Sequence, residues 1–294
     1  MKPYFFIGVE NTTLSSQDIK NLMHPAVAGA ILFTRNYENK QQLKELCQAI
    51  HQLKPSYPLK IAVDHEGGRV QRFIEQFTKI PSAKYFSQDK PFNLQQAKKE
   101  VEKYSSIASK ELAECGIDIN FSPCLDLDWG NSEIMNTRCY HHNPDIVAEL
   151  SMAFMQAHHH NGVMSVAKHF PGHGFVAPDS HLELPVDNRP YEEIATDIKA
   201  FQKALPYTQA IMMAHIVFPQ VDDDIASFST HWMKTILRQQ LGFKGIIFSD
   251  DLQMKACNQI GDGLARVEKA LSAGNDYLIW GNDLPLLSEL LENI

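Results

Sequence analysis

Gly162-Val163-Met164-Ser165-Val166-Ala167 runs directly into Lys168-His169-Phe170-Pro171-Gly172-His173-Gly174, and Asp179-Ser180-His181 follows a few residues later. The first six residues are apolar or small and read as a buried strand. The next fourteen, 168–181, bring one Lys, three His and one Asp, punctuated by two Gly and two Pro. A buried strand ending in protonatable side chains is the pattern of barrel enzymes and open α/β sheets, which keep their chemistry on strand-end loops. A solvated surface loop accounts for one His, but not for three beside a Lys and an Asp.

The same alternation extends in both directions. Short apolar runs at 4–9, 29–33, 60–63, 118–122, 164–167, 210–214, 245–248 and 276–280 read as strands. Between them lie amphipathic stretches at 40–53, 94–115, 144–160, 190–205, 230–241 and 264–273, with 284–291 completing the set. Gly116, Gly162, Gly242 and Gly274 stand at the expected helix stops. Alternating βα units predict a parallel sheet. Eight of them without a linker predict one domain over residues 1–294, a single (β/α)8 TIM-type barrel. The G-x-G-x-x-G fingerprint of a dinucleotide fold is absent after the first strand.

Bulk properties narrow the function. The 294 residues suit one large α/β barrel, and 44% hydrophobic content supports an ordinary core. A net charge of −8, with no Lys/Arg cluster, argues against a nucleic-acid partner. No segment approaches the ~20 apolar residues of a membrane helix, and the short apolar run at 4–9 lacks the cleavage site of a signal peptide. Five scattered Cys without a CxxC pair suit reduced thiols. A soluble cytoplasmic protein is therefore expected.

A barrel places its active site at the C-terminal strand ends. Polar residues stand there: Glu10 and Asn11; Asp64, His65 and Glu66; Asp126 and Asp128; Lys168 and His169; His215; Asp250 and Asp251. No Gly-x-Ser-x-Gly elbow or phosphate-cradling loop is present, and Gly67-Gly68 reads as a turn. A metal-dependent barrel hydrolase is a rival, since Asp64, His169, His173, Asp179, His181, His215 and Asp250 could all be ligands. Against it, the first strand ends in Val9-Glu10-Asn11 rather than His-x-His, and no His-Glu-x-x-His occurs. His158-His159-His160 reads as a solvated helix end.

Glycoside hydrolysis fits better, because it needs a carboxylate and a proton donor across the scissile bond. Asp250 ends an apolar strand and should project into the barrel mouth. Strand alternation turns Asp251 away, as an acid at the start of a following helix. Asp179 and His181 share a face on extended backbone, so the carboxylate can orient the imidazole and raise its pKa.

These stretches resemble glycoside hydrolase family 3, and within it the single-domain bacterial β-N-acetylglucosaminidases. The resemblance is carried by Lys168 to Gly174, by Asp179-Ser180-His181, and by Phe248-Ser249-Asp250-Asp251-Leu252-x-Met254. Asp64-x-Glu66-Gly67-Gly68-Arg69-Val70-Gln71-Arg72, Leu32-Phe33-x-Arg35-Asn36 and Phe121-Ser122-Pro123-x-Leu125-Asp126 also fit. It implies retaining removal of terminal β-linked N-acetylglucosamine from peptidoglycan fragments with 1,6-anhydro-N-acetylmuramic acid, in cell-wall recycling. It further implies Asp250 as nucleophile, His181 as acid/base with Asp179 as its partner, and Asp64, Arg138, Lys168 and His169 as sugar-binding residues. No metal or cofactor is expected. The partner is a small carbohydrate, with or without peptide, and the chain is expected to be a monomer. Phosphorolysis and assistance by the substrate's acetamido group stay open, as does a non-catalytic sugar-binding barrel. The chain departs from the common pattern at His65, where Gln is usual, at Gln253, where Ser is usual, and around Arg138, in Met135 to Tyr140.

Overall fold

Eight short parallel strands close into a barrel. They are β1 (Phe5–Gly8), β2 (Val27–Leu32), β3 (Lys60–Val63), β4 (Ile119–Asn120), β5 (Met164–Phe170), β6 (Ala210–Met213), β7 (Ile246–Asp251) and β8 (Tyr277–Trp280). Each pairs with its sequence neighbours, and β1 pairs with β8 to complete the ring. This is the expected (β/α)8 barrel. The computed structural model describes residues 4–89, 91–177 and 183–294.

The outer layer is α1 (Ser16–Met23), α2 (Lys40–Gln52), α3 (Leu94–Glu114), α4 (Pro144–His160), α5 (Tyr191–Ala204), α6 (His231–Gln240), α7 (Gly263–Ala273) and α8 (Leu284–Glu292), with α6 wound as a π-helix. Side-chain caps start most of them: Asn39, Asn93, Asn143, Asp262 and Asp283 each accept a backbone N–H of the first turn. The sequence reading does not name α1. Its eight residues are too few for a clear period, but Ser15 and Asp18 form a capping box that marks its start.

The strands are buried on both faces, as a helix-wrapped parallel sheet requires. Inside the barrel, Phe6, Phe121 and Phe248 meet edge to face, with ring centres 5.3–6.5 Å apart. Gly29 is needed here, since a Cβ would stand 2.2 Å from the Lys60 carbonyl oxygen. One correction concerns the triple His. His158 is fully buried, stacked on Phe154 and hydrogen-bonded to Asn120 on β4, whereas His159 and His160 are exposed as expected.

Two strands run further than their apolar runs suggest. β5 continues through Lys168, His169 and Phe170, and β7 through Asp250 and Asp251. Both carry a register shift at this end, between Ala167 and Phe170 and between Phe248 and Asp251. Bulges at barrel rims bend a strand and re-aim its side chains.

Candidate active site

The bulge in β7 decides what lies at the barrel mouth. Strict alternation would turn Asp251 away from Asp250, yet both line one cavity. Asp251 does not cap a helix. Its carboxylate accepts the Gln253 N–H, and a 3-10 turn begins only at Lys255. Behind it, the buried His215 ring bonds the Asp251 carbonyl through Nε2 at 3.0 Å and the Ser227 hydroxyl through Nδ1 at 2.5 Å. A carbonyl can only accept, so Nε2 carries the proton and His215 braces the end of β7.

The cavity holds about 350 Å³ and opens at the C-terminal strand ends. Asp64, Arg138, Lys168, His169 and Asp250, all expected from sequence, meet on its wall. Asp179 and His181 lie outside the described residues. A larger cavity of about 620 Å³ sits at the opposite mouth, among strand starts such as Phe6, Lys60, Met164 and Tyr277. It lacks a carboxylate at a strand's C-terminal end, so the smaller one is the candidate site.

The charges on the wall form a fixed lattice. Lys168 is 2% exposed, with Nζ 2.7 Å from Asp64 and 2.8 Å from Glu66. Burial alone would depress its pKa, but the two carboxylates outweigh burial and hold the ammonium charged. Arg138 forks onto Glu66 through Nε at 2.8 Å and Nη2 at 2.7 Å. Although burial opposes it, this pairing together with Lys168 holds the Glu66 carboxyl well below the usual range. Arg72 reaches Asp64 at 3.6 Å. The sequence reading assigns no role to Glu66 or Arg72. The hairpin of His65–Gly67 and Val70–Gln71, turning at Gly67 and Gly68, brings both over the mouth.

His169 is set by Asp126, which is fully buried. Its carboxylate takes the His169 ring Nδ1–H at 2.8 Å and the His173 backbone N–H at 2.7 Å. Burial raises the Asp126 pKa, but these His contacts more than reverse it, so the carboxylate stays charged. Among the described residues no hydrogen bond engages Nε2 of His169. His173 also lines the cavity, edge-on to His169, and burial lowers its pKa to about 4.

Some rim residues do not reach the cavity. His65 is buried between Phe73 and Phe77, and burial pushes its pKa down to about 3. Its departure from the family pattern therefore does not alter the cavity wall. Asp128 pairs with Lys84 at 2.9 Å. Cys124, Asp126 and His169 hold their donor atoms within 4.8 Å of one another. Asp126 is already engaged by N–H donors, and burial pushes the Cys124 thiol up and keeps it protonated. That donor set suits a hydrogen-bonded brace better than a metal.

A charged single-sugar-sized cavity with a carboxylate at the end of β7 of a (β/α)8 barrel defines a glycosidase-type barrel enzyme. Residues 7–294 match the Glycosyl hydrolase family 3 N terminal domain, and the chain belongs to that family of glycoside hydrolases. It is 43% identical over 290 residues to a beta-hexosaminidase of Methylobacillus flagellatus, spanning 98% of this chain and 83% of that protein. A beta-hexosaminidase of Neisseria meningitidis is 44% identical over 284 residues, 95% of this chain and 78% of the relative. The crystal structure of NagZ from Neisseria gonorrhoeae in complex with N-trifluoroacetyl-D-glucosamine superposes with a TM-score of 0.93 at 41% identity, covering 100% of this chain and 85% of the other.

Proposed function

We propose that the chain is a retaining exo-β-N-acetylglucosaminidase. It would release terminal β-linked N-acetylglucosamine from peptidoglycan fragments carrying 1,6-anhydro-N-acetylmuramic acid, in cytoplasmic cell-wall recycling. It acts as a monomer on a small carbohydrate and uses no cofactor. The observation that carries this reading is the meeting of Asp250 with Asp64, Arg138, Lys168 and His169 on one cavity wall. The volume of about 350 Å³ is at the small end for ligand sites and suits one sugar ring. Relatives called beta-hexosaminidase and a structural neighbour holding an N-acylated glucosamine support the same sugar.

In this mechanism Asp250 attacks the anomeric carbon and the bond to the departing oxygen breaks. His181, oriented by Asp179, donates a proton to that oxygen. Water deprotonated by His181 then opens the glycosyl-enzyme with net retention. Lys168 and Arg138 donate to sugar oxygens, and Asp64 and Nε2 of His169 complete the hydroxyl contacts.

Release of 4-nitrophenol tests the reading. The β-N-acetylglucosaminide should be cleaved much faster than the β-glucoside, and a preference for the glucoside overturns the sugar assignment. A 5-fluoro glycosyl donor should label the peptide containing Asp250. An unlabelled enzyme that still turns over would make the acetamido oxygen the nucleophile.

A further inference from the structure

Arg189 takes no part in the cavity, yet it is among the most completely engaged side chains of the rim. It is 6% exposed. Its guanidinium carbon stands 4.0 Å from the Phe175 ring centre and 4.9 Å from that of Trp129. Those two rings meet edge to face at 5.8 Å. In the guanidinium plane, Nε and Nη2 grip Asp187 at 3.0 and 2.7 Å, and Nη1 reaches Asp197 at 2.9 Å. Trp129 donates its indole N–H to the other Asp197 oxygen at 2.9 Å.

These partners come from four places. Trp129 lies in the loop after β4, Phe175 at the entrance of the loop after β5, Asp187 at that loop's exit, and Asp197 on α5. The entrance is further seated by Gly172 and Gly174. A Cβ on Gly174 would stand 1.8 Å from the Leu127 carbonyl oxygen, and one on Gly172 would stand 2.7 Å from Asp197. The exit is seated by Asp187 N–H on the Val217 carbonyl at 2.9 Å.

We propose that Arg189 is a positioning residue for proton transfer: it ties both ends of the segment bearing Asp179 and His181 to Trp129 and α5. The inference rests on the reading of His181 as the acid/base. Only a planar fork can bond Asp187 with two nitrogens, reach Asp197 with a third and stack on two rings at once. A Lys keeps the charge but loses that geometry. Asp197 supports the arrangement. Its two oxygens accept from Arg189 and from Trp129, although burial pushes its pKa up to about 6 against their pull.

The test compares wild type, R189M, R189K and H181A on two β-N-acetylglucosaminides. The 2,4-dinitrophenyl leaving group departs without a proton, whereas the phenyl one needs it. For R189M, kcat/KM on the phenyl glycoside should fall about 10²-fold, and for R189K about 10-fold, within the range of acid catalysis. Loss on the dinitrophenyl glycoside should be at most about 5-fold, as a proton-independent step requires. Equal losses on both substrates, or no loss, overturn the proposal. If R189M does not fold, the ratio for R189K decides. If H181A lacks this leaving-group dependence, or wild type cleaves neither substrate, the assignment of His181 itself falls and takes the proposal with it. If H181A has the dependence and the Arg189 variants lack it, the proposal falls alone.

Discussion

Asp250 and Asp251 are adjacent in the chain, and ordinary strand alternation assigns one carboxylate to each face. The bulge at the end of β7 sets both on the cavity wall, so their roles must be separated by substitution. D250N should lower kcat on the 4-nitrophenyl substrate by at least about 10³-fold, the scale of removing a nucleophile. H181A should cost about 10²–10⁴-fold. His215 acts through backbone, since its Nε2–H holds the Asp251 carbonyl. H215F removes one of the two donors to that carbonyl, leaving the Met254 N–H, and should cut kcat about 10-fold while costing about 1 kcal/mol of stability. Full turnover in H215F would reduce His215 to packing. Chelation should leave activity intact, since Asp126 is engaged by N–H donors and the Cys124 thiol stays protonated. Loss to a strong chelator with recovery on added zinc would restore the metal-hydrolase alternative.

At the scale of elements, the apolar runs identify every barrel strand, but they underestimate the two whose ends line the cavity with charge. β5 and β7 keep their strand geometry through Lys168, His169, Asp250 and Asp251, which are charged or polar and therefore end any reading based on hydrophobicity. α1 escapes for the opposite reason. Its eight residues make little more than two turns, and the signal that marks it is the reciprocal bonding of Ser15 and Asp18. S15A should lower stability by about 1 kcal/mol, read as an earlier urea midpoint, with turnover unchanged. An unshifted midpoint would mean that packing of α1 on β2, rather than its cap, holds the element. α4 departs from expectation at one residue of its end, where His158 is enclosed by Phe154 and Asn120 while His159 and His160 stay exposed.

For the whole molecule, buried histidines set the response to acid. Burial lowers the pKa to about 3 for His65 and about 4 for His158 and His173. The unfolded chain takes up these protons below about pH 6.5, whereas the folded state resists them, so their contribution is full above 6.5 and drains away as pH falls toward 3–4. Asp197 runs the other way. Its pKa of about 6 means that its contribution falls as pH rises from about 4 to 6. H65Q should therefore flatten the acid limb of the stability curve by an amount on the order of 3 kcal/mol, measured by urea unfolding at pH 4.5 and 7. An unchanged difference between the two pH values would assign acid sensitivity to the other groups. By itself the sequence determined the order of βα units, the closure of eight of them into one barrel, and the kinds of side chain at the rim. Those are local properties, written in hydrophobic period, helix stops and strand ends. Tertiary structure alone decided which polar groups meet. Lys168 and Asp64 are 104 residues apart in the chain, and closure of the barrel brings them to 2.7 Å. Two bulges then choose which side chains face the cavity, and no period-two reading can count a residue that a bulge inserts.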